Sequence, residues 1–156
     1  MTPERFAALL APVMELVGRH PLDGALQARL ERDHAPGGAW FDQVCSACRE
    51  AIAEGWMCSR EAGGIRYGRV IKPSAATREL SVDVVDMKDV RGPHHRHPNG
   101  EADLIMPVEG PAQFDGHGAG WLVYPPGSAH FPTVSGGRAW VLYLLPGGAI
   151  EFTPPA

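Results

Sequence analysis

Gly92-Pro-His-His-Arg-His-Pro-Asn-Gly-Glu101 is the stretch on which the reading of this chain turns. His95 and His97 are two residues apart, and on an extended strand such residues point to the same side. Their imidazoles therefore converge on one point. Asn99-Gly100 makes a tight turn, so Glu101 can swing back toward that point. His130 follows 33 residues after His97, behind the turn Pro125-Pro126-Gly127-Ser-Ala, which aims it inward. Three histidines and a carboxylate make a mixed nitrogen and oxygen site, suited to Fe, Mn, Zn, Ni or Cu. His95, His97, Glu101 and His130 are the candidate ligands. His94 faces the other way on a regular strand.

Around this segment the pattern has period two. Residues 65–72, 79–87, 101–108, 120–124 and 138–145 read as strands, rich in β-branched and aromatic residues. Gly63-Gly64, Asn99-Gly100, Gly136-Gly137 and Gly147-Gly148 punctuate them as turns. Many short strands with such turns predict a sandwich or barrel.

Upstream the period is helical. Thr2-Pro3-Glu4 reads as an N-cap, a first-turn proline and a first-turn acid. Phe6, Leu9, Leu10, Val13 and Val17 share one face, with Pro12 expected to kink the helix. A second helix after Pro21 places Leu22, Ala25, Leu26 and Leu30 on its apolar side. A third spans about 39–54, with Trp40, Val44, Ala47, Cys48 and Ala51 as its stripe and Gly55 at its C-cap. The class is mainly β with an N-terminal helical segment. One domain is expected over 1–156: a helical subdomain over 3–54 and a β-barrel over 56–152.

Composition narrows the function. The 156 residues are 44% hydrophobic with a formal net charge of -4. No basic run suggests nucleic acid, and no apolar run approaches a membrane span. No cleavable signal is expected before Met14. Three cysteines, Cys45, Cys48 and Cys58, suggest reduced thiols in the cytoplasm. Cys45-Ser-Ala-Cys48 reads as two small apolar residues on a helix face. His20, His34 and His117 read as surface residues.

Asp103 shares strand parity with Glu101 and Ile105, so it enters the same cavity if Glu101 does. At the border of an apolar pocket its carboxyl pKa rises, which suits a general acid or base. It would otherwise face solvent or support a ligand histidine. Arg66 and Arg69 lie on opposite faces of one strand, so only one can point inward to clamp a carboxylate. Tyr67 shares Arg69's parity. Trp121, Tyr124, Phe131, Trp140 and Tyr143 are candidates for lining an aromatic cavity. From these, Arg69, Tyr67 and Tyr124 are taken as the substrate contacts. Two other readings of the histidines stand beside the metal site: a solvated loop, and a metal-free pocket of acids and bases.

The pattern resembles the cupin superfamily. His95-x-His97-x3-Glu101 matches the core of its first motif, G-x5-H-x-H-x3,4-E-x6-G. Gly92 lies too close for its first glycine, and eight residues rather than six separate Glu101 from Gly110. Pro125-x-Gly127-x2-His130 matches the second motif, G-x5-P-x-G-x2-H-x3-N. Gly120 is one residue short, and Val134 replaces the asparagine. The resemblance implies a small double-sheet jelly roll, a bound divalent ion (Fe, Mn or Zn) and, by analogy, a homodimer.

Three segments resemble a narrower group, the 4-hydroxylaminobenzoate lyases of bacterial nitroaromatic degradation. They are His95-Arg-His-Pro-Asn-Gly-Glu-Ala-Asp-Leu-Ile-Met-Pro107, the stretch from Gly118 through Trp121-Leu-Val-Tyr-Pro-Pro-Gly-Ser-Ala-His130 to Gly137, and Leu142-Tyr-Leu-Leu-Pro-Gly-Gly-Ala-Ile-Glu-Phe152. This resemblance implies conversion of 4-hydroxylaminobenzoate to 3,4-dihydroxybenzoate with release of ammonia. Loss of the N–OH oxygen needs an acid or a Lewis-acidic metal, and water attack on an imine needs a base. Glu101 and Asp103 are the residues expected to serve this chemistry, with no organic cofactor. Another cupin enzyme acting on a small aromatic acid, a dioxygenase or isomerase, is the alternative within catalysis. A non-catalytic ligand-binding cupin is the alternative outside it.

Overall fold

The computed structural model describes residues 1–153. The chain opens with three helices, α1 (Pro3–Arg19), α2 (Gly24–Asp33) and α3 (Ala39–Glu54). The Thr2 hydroxyl accepts from the Arg5 backbone N–H at 3.2 Å, and Asp23 caps α2 by accepting from Leu26 N–H at 3.0 Å. Each cap satisfies a backbone donor that the first helical turn leaves free. Gly55 ends α3 in the left-handed region at φ 87°. α1 continues unbroken through Pro12, where a kink was expected. Ala25 is exposed, so the apolar side of α2 narrows to Leu26 and Leu30, with Leu22 buried just before it.

The strands are β1 (Arg60–Ala62), β2 (Ile65–Ile71), β3 (Leu80–Arg91), β4 (His95–His97), β5 (Glu101–Glu109), β6 (Gln113–Phe114), β7 (Gly120–Tyr124), β8 (Ser128–His130), β9 (Thr133–Pro146) and β10 (Glu151–Phe152). A seven-stranded sheet runs β1-β2-β3-β9-β5-β7, with β6 paired to β9, and a three-stranded sheet runs β10-β4-β8. The described pairings are antiparallel. The architecture is the small double-sheet jelly roll expected from the sequence. Its two sheets face each other without closing into a continuous barrel.

The large sheet is apolar on both faces, but unequally. Val82, Val84, Ala102, Leu104, Met106, Trp121, Val123, Leu142 and Leu144 form its outer face and merge with the helices in one core. Trp40 donates its indole N–H to the Leu9 carbonyl at 2.9 Å, tying α3 to α1 within that core. The inner face packs Met87, Ile105, Leu122, Val141, Tyr143 and Leu145 under the small sheet. Successive residues of a strand alternate between these two faces. The tract Glu101 to Met106 is therefore buried on both sides, including the charged residues Glu101 and Asp103. No described helix is long and apolar enough to cross a membrane.

Candidate functional site

The backbone brings the four candidate ligands together from two strands and the start of a third. His95 sits directly opposite His130 in the β4–β8 pair, and His97 sits opposite Ser128. Paired residues share a face. Gly100 stands at φ 83°, and a Cβ there would approach the Tyr124 carbonyl oxygen to 2.8 Å. Only glycine fits this turn without strain. It returns the chain so that Glu101, at the head of β5, meets the histidines.

His95 and His97 are buried, as is Glu101, and the His130 side chain is 12% exposed. One ligand atom from each of the four lies within 4.8 Å of the others. His130 Nε2 faces His95 Nε2 at 3.0 Å, and His97 Nε2 lies 2.8 Å from Glu101 Oε2. The second approach lacks hydrogen-bond geometry, since His97 Nε2 and both Glu101 oxygens have no hydrogen-bond partner. Buried polar atoms without partners are costly. Donor atoms about 3 Å apart match neighbouring ligands at metal bond lengths of about 2.1 Å. The residues present therefore fit a single divalent cation. Burial, reinforced by the neighbouring His130 and His97, pulls the His95 pKa down to about 3. That imidazole is neutral at ordinary pH, the form a metal takes.

Asp103 lies on the same face of β5, fully buried, and neither of its oxygens has a partner. Burial, and then the charge of Glu101, push its carboxyl well above the usual range. Tyr143 stands opposite Asp103 in the β5–β9 pair and Asp83 stands opposite Tyr143 in the next. Arg69 is in turn opposite Asp83. One ladder row thus carries Arg69, Asp83, Tyr143 and Asp103 across the inner face.

The three substrate contacts expected from the sequence fall in different settings. Arg69 and Tyr67 share the inner face at β2, toward the rim. The Arg69 guanidinium already engages Asp83 at 2.9 Å and the Gly148 carbonyl at 3.0 Å. Tyr67 is 37% exposed. Tyr124 lies against the histidines, its ring centroid 4.8 Å from that of His130 and 5.7 Å from that of His97. Its hydroxyl donates to Asp115 Oδ2 at 2.6 Å. Trp121 and Trp140 belong to the outer core. His94 points away from the cluster, its ring Nδ1 3.1 Å from the Thr153 carbonyl. His34, expected at the surface, is half-buried edge-on against Trp40. A surface cavity of about 240 Å³ lined by Asp89, Arg91 and Thr133 includes none of the four ligand residues.

Two residues of this site were not singled out from the sequence. Ser128 Oγ lies 3.1 Å from His97 Nδ1. Asp115 Oδ2 receives Nδ1–H of His130, while its Oδ1 accepts from Thr133 N–H at 2.9 Å. Burial alone would raise the Asp115 carboxyl, but the hydrogen bonds from His130 and Tyr124 outweigh it and hold the group below its ordinary value. In the sequence Asp115-Gly116 reads only as a turn signal, and the turn hides the carboxylate's second use. The thiols stand apart. Burial pushes Cys45 up to about 11 and Cys58 up to about 12, so neither is an activated nucleophile.

A model of the family described as PnbB, 4-hydroxylaminobenzoate lyase, matches residues 8–152. A 4-hydroxylaminobenzoate lyase of Nocardioides sp. (strain LMS-CY) is 30% identical over 166 aligned residues, covering 99% of this chain and 98% of that protein. One of Pseudomonas putida is 29% identical over 151 residues, covering 83% and 86%. Among solved structures, oxalate oxidase bound to glycolate aligns at a TM-score of 0.44 and 20% identity, covering 62% of this chain and 58% of that one. An RmlC-like cupin protein of Ralstonia eutropha JMP134 aligns at 0.44 and 11% identity, covering 57% and 60%.

Proposed function

Because this chain belongs to the 4-hydroxylaminobenzoate lyase family, we propose that it converts 4-hydroxylaminobenzoate to 3,4-dihydroxybenzoate with release of ammonia. The reaction consumes one water. The N–O bond breaks, the ring carbon beside the C–N carbon gains oxygen, and hydroxyl replaces nitrogen on the ring. There is no net oxidation. The observation that carries the reading is the buried cluster of His95, His97, Glu101 and His130 with unpartnered Asp103 beside it, all inside the segment that matches the family.

In this reading His95, His97, Glu101 and His130 hold one divalent ion, Fe, Mn or Zn, and no organic cofactor takes part. Such an ion supplies Lewis acidity toward the hydroxylamine oxygen and toward water. Asp103 carries the proton. Buried without a partner beside the four ligands, its carboxyl is placed to protonate the leaving hydroxyl and, once deprotonated, to take a proton from attacking water. In the metal-free protein, burial and, second, the charge of Glu101 raise the Asp103 carboxyl. Ile105 and Leu122 of the inner face pack near these carboxylates and limit access to the single water that the reaction consumes.

Arg69 is the proposed clamp for the ring carboxylate, with Tyr67 beside it and Tyr124 against the reacting end. The ladder supports this. Arg69 and Asp103 are three strand spacings apart, roughly 14 Å between backbones. An arginine leaning inward toward Asp83 and a para-substituted benzoate together span such a gap. Arg69 Nη1 makes no hydrogen bond among the described residues, so a bidentate contact needs only Asp83 to yield. The helices and sheets are proposed to act as one domain, in a cytoplasmic homodimer.

Purified protein incubated with 4-hydroxylaminobenzoate should yield 3,4-dihydroxybenzoate and ammonia in equal amounts, with and without oxygen. A requirement for oxygen, or no turnover by metal-replete protein, would overturn the assignment.

A further inference from the structure

Asp115 occupies the turn between β6 and β7 at φ 50°, a left-handed conformation that aspartate and asparagine tolerate better than most residues. The turn is closed on both sides. Phe114 N–H donates to the His117 carbonyl at 2.8 Å, and His117 N–H donates back to Phe114 at 2.9 Å. Asp115 N–H donates to the Thr133 carbonyl at 2.8 Å, and Thr133 N–H returns to Asp115 Oδ1 at 2.9 Å. These contacts hold the turn without Oδ2. That second oxygen takes the Tyr124 hydroxyl at 2.6 Å and the His130 ring at 2.5 Å. One carboxylate thus divides its work, with Oδ1 on the backbone and Oδ2 on the site.

A carboxylate can only accept hydrogen bonds, so the proton between it and His130 sits on Nδ1. The lone pair of His130 then lies on Nε2, which is 3.0 Å from His95 Nε2. Among the described residues, no other ring of the cluster has a carboxylate oxygen in hydrogen-bond geometry. Ser128 beside His97 Nδ1 can donate or accept, and His95 Nδ1 has no hydrogen-bond partner.

We infer that Asp115 is the positioning residue of the cluster: it locks His130 in the Nδ1–H tautomer and presents Nε2 to the point shared with His95, His97 and Glu101. This rests on the proposed metal reading of those four residues. Tyr124, through its hydroxyl, steadies the same oxygen and so acts on His130 at one remove.

Asp115→Asn separates this role from a structural one. The variant keeps an oxygen for Thr133 N–H and tolerates the same φ. It places an NH2 donor against His130 Nδ1, which favours the opposite tautomer and moves the proton to Nε2. Long-range 1H–15N correlations of the metal-free protein at alkaline pH read the tautomer directly. The wild type should show His130 protonated on Nδ1, and Asp115→Asn should shift it to Nε2. Titration with Co2+ should show affinity falling by about 10–100-fold, the scale for carboxylates behind metal-bound histidines. Tyr124→Phe should lower it less. A wild-type ring protonated on Nε2, or equal Co2+ affinity in wild type and Asp115→Asn, overturns the inference, and the first of these needs no variant to fold. Wild-type protein with the Nδ1–H tautomer but no affinity for Co2+ would sink the metal reading and leave the orientation of His130 by Asp115 standing.

Discussion

Asp103 and Leu104 are neighbours on one strand, both fully buried, yet they belong to different parts of the molecule. Leu104 points outward into the core shared with α1, α2 and α3. Asp103 points inward, where its two oxygens find no partner. The outer face gains stability from apolar area removed from water. The inner face carries Glu101 and Asp103, which meet three imidazoles from the small sheet, and the burial of these groups is unfavourable until a cation or substrate uses them. A strand with both faces buried can thus hold stability and chemistry at adjacent positions, separated only by the pleat.

The largest expected effect comes from emptying the inner cluster. Replacing His97 and His130 together by Ala should abolish metal uptake and turnover, while Cys45→Ser with Cys48→Ser should leave both intact. Metal analysis of untagged protein decides this, and full occupancy in the double histidine variant would remove the four-residue site. The neighbouring pair sharpens the contrast. Asp103→Asn should lower turnover by about 10²-fold with metal near one per chain and little change in unfolding free energy. Leu104→Ala should cost about 2–5 kcal/mol of stability and leave the turnover of the folded fraction near wild type. If both variants altered the same property, the two faces would not be separable. Arg69→Gln should raise KM by roughly 10–100-fold, the scale of about 1.5–3 kcal/mol for a hydrogen bond to a charged group, with a smaller effect on kcat. An unchanged KM would move the carboxylate clamp elsewhere.

The two sheets also differ in how far the sequence exposes them. β2, β5 and β7 appear in the sequence at nearly their observed limits, because turn residues bound them: Gly63-Gly64 before β2, Asn99-Gly100 before β5 and Pro125-Pro126 after β7. β3 and β9 extend beyond their expected ends, to Arg91 and back to Thr133, through bulged segments that break the period. The small sheet consists of strands of two or three residues, too short for any period to register. Only the chemistry of His95, His97 and His130 marks its place. The same limit hid Asp115, whose side chain reaches the site from a turn on the large-sheet side. Parity does correctly put Asp103 beside Glu101 and Tyr67 beside Arg69. It could not show that Arg69 is already held by Asp83, since that pairing joins residues 14 apart through the β2–β3 register.

The smallest effect is expected at the free edge of the large sheet. β7 pairs with β5 on one side only, so alternate N–H groups of β7 point outward, where an unprotected edge invites pairing with another chain. Here α2 covers them. Gln27 Oε1 accepts from Val123 N–H at 2.8 Å, and Glu31 Oε1 accepts from Trp121 N–H at 3.0 Å. The match is geometric. Four residues along a helix advance about 6.0 Å, and two along a strand about 6.7 Å, so side chains at i and i+4 of an antiparallel helix meet consecutive outward donors. Gln27→Ala removes one neutral acceptor and leaves the other. It should cost about 1 kcal/mol in denaturant unfolding, and less if water reaches Val123 N–H. Glu31→Ala removes a charged acceptor and should cost somewhat more. Because Trp121 and Val123 face the outer core, neither change should alter metal content or KM. A loss of turnover in Gln27→Ala without loss of stability would mean that the helical face communicates with the inner one, and the division drawn between Asp103 and Leu104 would fail at the edge of the sheet.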